Sequence, residues 1–313
     1  MITSLFKNTA VSYFLILLVS ICLWGFAFYK SSPNELVTIN FAQESYELSK
    51  QLAIILSFFT TIISGGFLNY KIKKYLFSFE PNNLFLFFYV VIFSVELSNS
   101  SFLVYDIVSI FLIFLVSYLL FFIEPKNNEN QVFNASFIIG LLIFHNLFFA
   151  IFLLLLIHNL STTKRIGFKE LMLIIIGFIV PILIALAFSI VTENFEIINA
   201  AFQVEFAFPK VTWKYGVVIL VYLIASFIGY RSVISKRSGI DIATLRLTKN
   251  LLMYLIISIV VSSLSIFMFP QHYILFLLTL PFALFLSFYF ANTNNKWKEI
   301  IFLVTIGLTF LLR

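Results

Sequence analysis

Residues 132–191 read VFNASFIIGLLIFHNLFFAIFLLLLIHNLSTTKRIGFKELMLIIIGFIVPILIALAFSIV, and this stretch decides the fold. Two short apolar runs, 132–144 and 147–157, meet at His145-Asn146. At 1.5 Å per residue these runs reach only about 20 and 16 Å, which is short of a hydrocarbon core of about 30 Å. We therefore predict a broken or hairpin segment over 132–160, with both ends on the same side of a membrane.

The composition is that of a membrane protein. Of the 313 residues, 61% are hydrophobic and only 11% are charged, whereas a soluble domain carries about 25% charged residues. Apolar runs recur from one end of the chain to the other, and no polar segment between them is long enough for a soluble domain. We predict that residues 1–313 form a single membrane-embedded domain, an all-α polytopic transmembrane bundle of about ten or eleven helical segments.

The net charge of +6 bears on topology rather than on nucleic acid, for which we predict no binding. Lys and Arg are in excess on the cytoplasmic side of membrane proteins. The charges predict a cytoplasmic N-terminus, outer loops at 31–50 and 192–214, and an inner loop at 231–249. The expected location is the bacterial inner membrane.

The predicted hairpin is what keeps this asymmetry intact. With it, the basic loop that holds Lys164, Arg165 and Lys169 lies inside, and all but five of the 20 Lys and Arg residues are inside. The five exceptions are Lys30, Lys50, Lys210, Lys214 and Arg313. If 132–160 crossed the membrane once, every later loop would invert and the asymmetry would collapse.

Three carboxylates are candidates for catalysis. Glu44 and Glu47 precede the second span, and a spacing of three would put both on one face of a helix, as a base or as ligands of a divalent metal. The alternative is a solvated loop in which Glu47 pairs with Lys50. Asp106 lies four residues into the span 102–123; it is either a functional group within the membrane or an interfacial carboxylate.

Three polar residues are further candidates. His145 and Asn146 either form a ligand or proton site, or satisfy backbone groups that the break sets free. His272 lies in a predicted outer turn, where it would share a pocket with Glu44 and Asp106. The sequence contains no zinc-ligand spacing, Walker loop or GxGxxG motif, so it gives no indication of nucleotide binding.

Two resemblances add to these observations. The opening MITSLFKNTAVSYF and the overall layout resemble a family of integral membrane proteins from flavobacteria and their relatives, which implies no function. The order of Asn134-Ala135-Ser136, a break, Lys164-Arg165 and then Gly177–Pro181 resembles the central part of GT-C-type polyprenyl-phosphate-sugar glycosyltransferases. In that family an acidic catalytic residue lies in the first outer loop, a place that Glu44 or Glu47 would occupy.

The resemblance favours a GT-C-like transferase that uses a lipid-linked sugar at the outer face, with membrane lipids and a polyprenyl-phosphate carrier as partners. The alternative is a non-catalytic subunit that scaffolds a cell-envelope complex. A secondary transporter ranks third, because the chain shows no internal repeat and few charges at the membrane midplane. The enzyme predicts an outer cavity lined by Glu44, Glu47, Asp106 or His272, and the scaffold predicts none.

Overall fold

Eleven α-helices account for most of the described residues, so the prediction of an all-α bundle with ten or eleven helical segments is confirmed. The computed structural model describes residues 5–7, 10–32, 35–41, 44–75, 82–98, 102–121, 129–163, 167–195, 198, 213–235, 242–265, 272–292 and 298–310. The helices are α1 (Ala10–Lys30), α2 (Lys50–Tyr75), α3 (Leu84–Phe93), α4 (Phe102–Phe121), α5 (Glu129–Leu142), α6 (Phe152–Thr163), α7 (Phe168–Val191), α8 (Trp213–Ser235), α9 (Ile242–Ser265), α10 (His272–Asn292) and α11 (Lys298–Phe310).

Five of the helices are long and apolar enough to cross a membrane: α1, α2, α7, α8 and α9. Helix α7 has the highest mean hydropathy of the five, 3.1, yet it exposes large apolar side chains such as Leu183, Ile184 and Phe188. Apolar side chains that face outward are expected where lipid, not water, surrounds the bundle. The protein is therefore a multi-pass membrane protein.

Helices α3 and α10 form the centre of the bundle. Every residue of α3 is buried, and so is every residue of α10 from Leu275 to Phe290. The two helices are antiparallel, because the rings of Phe93 and Phe276 lie 6.3 Å apart towards one end and those of Phe88 and Phe290 lie 5.3 Å apart towards the other. Helices that are apolar all round belong in such a core.

Successive helices alternate in direction. At one end, the side chain of Asn83 before α3 donates to Ser12 near the start of α1 and accepts from Asn69 near the end of α2. We call this end the amino-terminal side. At the other end, Lys30 and Lys50 line one cavity with Leu97, which follows α3.

The described cations are distributed unevenly between the two ends. Nine lie towards the amino-terminal side: Lys7, Lys71, Lys73, Lys74, Lys169, Arg231, Arg246, Lys249 and Lys298. Three lie towards the opposite side: Lys30, Lys50 and Lys214. This distribution has the form that the topology prediction requires, and the assignment of the amino-terminal side to the cytoplasm stays a prediction.

Helices α5 and α6 form the predicted hairpin. Lys169 Nζ lies 2.6 Å from Glu129 Oε1, so α5 and α7 begin side by side. Further along, the Ser136 hydroxyl lies 3.4 Å from the Leu173 carbonyl oxygen, which shows that α5 and α7 run parallel. Helix α6 must therefore return to the amino-terminal side between them, and the break comes at residues 143–146, close to the predicted position.

The first loop departs from prediction, because it folds as an antiparallel β-hairpin. Strand β1 (Leu36–Phe41) pairs with β2 (Glu44–Ser49), with Val37 opposite Leu48. Val37 is only 2% exposed and Leu48 packs against the core, so one face of the hairpin lies on the bundle. We call the end of the bundle that carries these strands the β-hairpin side.

The strands also correct the predicted geometry of Glu44 and Glu47. A helix would place positions 44 and 47 on one face, but in a strand successive side chains alternate, so positions three apart fall on opposite faces. Position 44 shares the face of Leu48, and Glu47 is on the other face and exposed. The side chain of Glu44 lies outside the described part of the structure.

Candidate functional site

Asp106 lies deep in the helix bundle, and its depth in the membrane stays a prediction. Its residue is 2% exposed, and its Oδ1 accepts a hydrogen bond of 3.4 Å from the Thr61 hydroxyl. Thr61 is the twelfth residue of α2, about 16 Å from the start of that helix and about 21 Å from its end. Asp106 is near the start of α4 in sequence but close to mid-depth in the bundle. An ionised Asp at the centre of a membrane helix costs about 2.5–3.5 kcal/mol.

Two hydroxyl groups of α2 lie at this carboxylate, and two further hydroxyl groups lie near the Asp106 backbone. Ser57, one turn before Thr61 on α2, lies beside the Asp106 carboxyl, and its hydroxyl accepts from Trp24 Nε1 at 3.4 Å. Ser109 donates to the Asp106 backbone carbonyl at 2.7 Å and accepts from the Tyr89 hydroxyl at 3.3 Å. We call Trp24, Ser57, Thr61, Tyr89, Asp106 and Ser109 the Asp106 cluster.

Asn146 stabilises the break between α5 and α6. Its Oδ1 accepts from the Phe148 backbone N–H at 3.0 Å, which caps the 3₁₀ turn Leu147–Ile151. Its Nδ2 donates to the Ser265 hydroxyl at 2.6 Å, at the end of α9. Of the two alternatives for this residue, the structure favours the satisfaction of backbone groups.

His145 is packed among aromatic rings. Its ring centroid lies 6.5 Å from that of Tyr105, the neighbour of Asp106 in sequence, and 6.4 Å from that of Phe149. His272 is the first residue of α10, and its side chain lies outside the described part. Among the described residues, no group of three or more His, Cys, Asp or Glu side chains is arranged to hold a metal, so the divalent metal stays a prediction.

A cavity of about 250 Å³ opens on the β-hairpin side, between the end of α1 and the start of α2. Two lysines and one glutamate contribute charge to its lining and give it a net charge of +1. The lining residues are Phe26, Ala27, Lys30, Ser31, Glu35, Lys50 and Leu97. Neither Glu47 nor Asp106 is among them, so the structure brings together different charged residues from those predicted.

An ion pair organises this cavity. Lys50 Nζ lies 2.5 Å from Glu35 Oε1, and the Lys50 backbone N–H donates to the Glu35 carbonyl oxygen at 2.9 Å. The hydrogen bond from Lys50 lowers the pKa of the Glu35 carboxyl below its ordinary value of 4.5, so the carboxylate is ionised at neutral pH. The ion pair closes the base of the β-hairpin, where the chain leaves α1 and enters α2.

An apolar groove lies between the same two helices. The groove is about 200 Å³, and its lining is apolar: Ile21, Trp24, Gly25, Phe28, Ile54, Ile55 and Phe58. A Cβ atom built on Gly25 would meet nothing within 4 Å, so this position leaves open space between α1 and α2.

The residues of this cavity did not stand out in sequence as a site, although a signal was present. Lys30 is the last residue of α1 and Lys50 is the first of α2, and both are exceptions to the predicted Lys and Arg asymmetry. A cation on the side that topology disfavours is a candidate for function, because the asymmetry does not explain it. Their proximity depends on the β-hairpin, which the helical interpretation of this loop did not include.

Comparisons with known proteins place the chain in a family but assign no activity. No curated protein and no solved structure matches it. The family model of DUF6427, described as a family of unknown function, matches residues 16–312, and the chain therefore belongs to the DUF6427 family.

Proposed function

We propose that the protein binds the phosphate of a lipid-linked sugar in the cavity between α1 and α2, and that it acts there as a GT-C-like transferase. The observation that carries the proposal is that Lys30 and Lys50 line one cavity where α1 ends and α2 begins, while an apolar groove lies between the same two helices. An anionic lipid has the same two parts, a phosphate and an apolar chain. The β-hairpin side is then the outer face, where a flipped carrier presents its phosphate.

The charge of the cavity, rather than its size, suits a phosphate headgroup. Small-molecule sites usually measure about 300–1,000 Å³, and this cavity of about 250 Å³ is smaller. Two ammonium groups offer charge-assisted hydrogen bonds to phosphate oxygens. The apolar chain of the lipid would lie in the groove, against Ile21, Ile55 and Phe58.

Glu35 is the carboxylate nearest to the proposed phosphate. A phosphate that binds Lys50 would compete with Glu35 for the same ammonium group. Release of Glu35 would return the pKa of its carboxyl towards the ordinary value and make it a stronger base. A sugar acceptor that enters beside the β-hairpin would then meet a free carboxylate within the same cavity.

The transferase part of the proposal rests on the sequence resemblance, and the lipid-phosphate part rests on the cavity. The two parts are separable by experiment. If the lipid binds but no sugar is transferred, the protein is a lipid-binding membrane subunit. If neither occurs, the scaffold of a cell-envelope complex becomes the better hypothesis.

The binding step is tested with native mass spectrometry of the purified protein and added polyprenyl phosphate. Lys30→Gln and Lys50→Gln remove one charge each and should lower the bound fraction at least severalfold. Lys214→Gln is the matched control, since Lys214 is an exposed lysine of the same side that does not line the cavity. Equal lipid binding by the wild type and all three variants would refute the proposed site.

A further inference from the structure

The Asp106 carboxylate has one oxygen with no hydrogen-bond partner. Oδ1 accepts from Thr61, but Oδ2 is buried and finds no donor in the described part of the structure. Burial of a carboxylate oxygen without a donor is unfavourable, because the desolvation of the group is not offset. An ionisable residue inside a membrane bundle is by default a candidate functional site.

The groups around Asp106 provide oxygen atoms but no positive charge. Helix α2 contributes Ser57 and Thr61, α3 contributes Tyr89, and α4 contributes Ser109. No Lys or Arg is among the residues that the structure places against this carboxylate. The negative charge is therefore not balanced by the neighbouring side chains that the structure describes.

We propose that Asp106 binds one monovalent cation, H⁺ or Na⁺, at Oδ2. A single positive charge neutralises the single carboxylate, whereas a divalent ion would leave a net charge buried in the bundle. Hard cations take oxygen ligands, and Thr61 and Ser57 place two hydroxyl groups beside the same carboxylate. The carboxylate lies outside the cavity between α1 and α2, so the proposal does not depend on the proposed function, although Trp24 also lines the apolar groove and the experiment is therefore done without added polyprenyl phosphate.

The titratable groups that approach the cluster are two tyrosines and, through its contact with Tyr105, His145. Tyr89 approaches from α3, and Tyr254 from α9 lies beyond it. A tyrosine phenol ionises only near pH 10, so both stay neutral between pH 5 and 9. The ring of His145 contacts Tyr105 and Phe149. Trp24, which approaches from α1, has no titratable side chain. A histidine ordinarily titrates at about pH 6.5, so a response between pH 5 and 9 is assigned to Asp106 when it persists in a His145→Gln variant and is lost in Asp106→Asn.

Trp24 provides a local probe of the site, because it donates to Ser57 and is 3% exposed. The chain has three tryptophans, and Trp213→Phe together with Trp297→Phe leaves Trp24 as the single emitter. The experiment uses the full-length protein with these two changes in detergent or lipid nanodiscs. Trp24 emission and the midpoint of thermal unfolding are measured while NaCl replaces choline chloride at constant ionic strength, and then across pH 5–9 without Na⁺.

If Na⁺ occupies the site, NaCl raises the unfolding midpoint by at least about 2–4 °C and changes Trp24 emission. If H⁺ occupies it, NaCl has no effect, and both signals change with pH instead. In either case Asp106→Asn in the same background removes the response, and Thr61→Val weakens it.

A protein whose Trp24 emission is unchanged by both Na⁺ and pH overturns the proposal. This test uses only the protein that retains Asp106, so its result can be interpreted even if the Asp106→Asn variant does not fold. A response that persists unchanged in a folded Asp106→Asn variant also overturns it. Lys50→Gln serves as a control for independence, because it alters the cavity between α1 and α2 and should leave both responses intact.

Discussion

Lys169 Nζ and Glu129 Oε1 lie 2.6 Å apart, although 40 positions separate the two residues in the chain. The ion pair joins the first turn of α7 to the first residue of α5 at the amino-terminal side. Both partners are about half exposed or more, so the pair itself adds little stability, about 0–1 kcal/mol. The ion pair is informative about direction, because it requires α6 to run back to the side from which α5 starts.

We expect the two ends of the α5–α6 hairpin to be accessible from the same side of the membrane. Single cysteines at Asn130 and Thr163, in a background that lacks Cys22, should react equally with a membrane-impermeant thiol reagent. Labelling of intact cells reports accessibility from outside, and labelling of inverted membrane vesicles reports accessibility from the cytoplasm. Labelling of one position in cells and of the other only in inverted vesicles would mean a single crossing.

The orientation of the whole bundle is a separate prediction. The excess of Lys and Arg towards the amino-terminal side predicts that this side faces the cytoplasm. Cysteines at Asn40 and Asn199 should then be labelled in intact cells, and a cysteine at Ser238 should not; positions 199 and 238 lie outside the described residues. Labelling of Ser238→Cys alone would show the opposite orientation.

The close approach of α5 and α7 makes a prediction about glycine. A Cβ atom at Gly177 would lie 2.7 Å from the Phe133 carbonyl oxygen, so Gly177→Ala must push two helices apart. Small residues at helix interfaces permit such approaches in membranes, and overpacking typically costs about 1–3 kcal/mol. Gly177→Ala should therefore lower the midpoint of thermal unfolding.

Gly307→Ala is the matched control for this change. A Cβ atom at Gly307 in α11 would meet nothing within 4 Å, so the substitution introduces no clash. Alanine also favours a helix over glycine by about 1 kcal/mol. The unfolding midpoint of Gly307→Ala should equal or exceed that of the wild type. A Gly177→Ala protein as stable as the wild type would contradict the described packing of α5 against α7.

A loss of stability is also expected at the break between α5 and α6. Asn146→Ala removes the cap on the Phe148 N–H and the hydrogen bond to Ser265, and loss of a cap costs about 0.5–2 kcal/mol. Ser265→Ala removes only the second interaction and should be milder. Thermal unfolding of both variants gives the comparison; equal stability of Asn146→Ala and the wild type would show that the cap is dispensable.

The helices could be predicted from the sequence because their signal is local. A run such as 171–191 has no alternative to a helix in lipid, where every backbone polar group needs an internal partner. The hairpin at 132–160 followed from run length together with the position of the basic loop. The structure agrees with both because these arguments need no knowledge of which helices touch.

The site could not be predicted in the same way, since it depends on contacts distant in sequence. Asp106 is near the start of its own helix, and only the packing of α4 against the middle of α2 places it at mid-depth. Lys30 and Lys50 meet because β1 and β2 close the loop between them. The strand pairing is carried by β-branched positions Val37, Thr38 and Ile39, a weak signal in so short a segment.

Three carboxylates on the β-hairpin side are candidates for a catalytic base, and they differ in their position relative to the cavity. Glu35 lies in the cavity with Lys30 and Lys50. Position 44 is six residues before Lys50, and at about 3.3 Å per residue it lies about 20 Å away along β2. Glu47 is closer to Lys50 but falls on the hairpin face opposite to that of Leu48, and it is exposed.

Glu35→Gln should therefore separate binding from turnover if the protein is a transferase. The substitution raises the net charge of the cavity from +1 to +2, so polyprenyl phosphate should bind at least as tightly as in the wild type. Loss of a general base lowers the rate by about 10²–10⁴-fold, so glycosylation of a cell-envelope acceptor should fall by that factor at normal protein level. Glu47→Gln and Glu193→Gln, which remove exposed carboxylates on the same side, should have mild effects.

If Glu44→Gln or Glu47→Gln abolishes transfer while Glu35→Gln does not, the base lies on the β-hairpin and the cavity serves only to hold the lipid. If all of these variants retain full function in cells, the catalytic proposal fails and a non-catalytic membrane subunit is the better explanation.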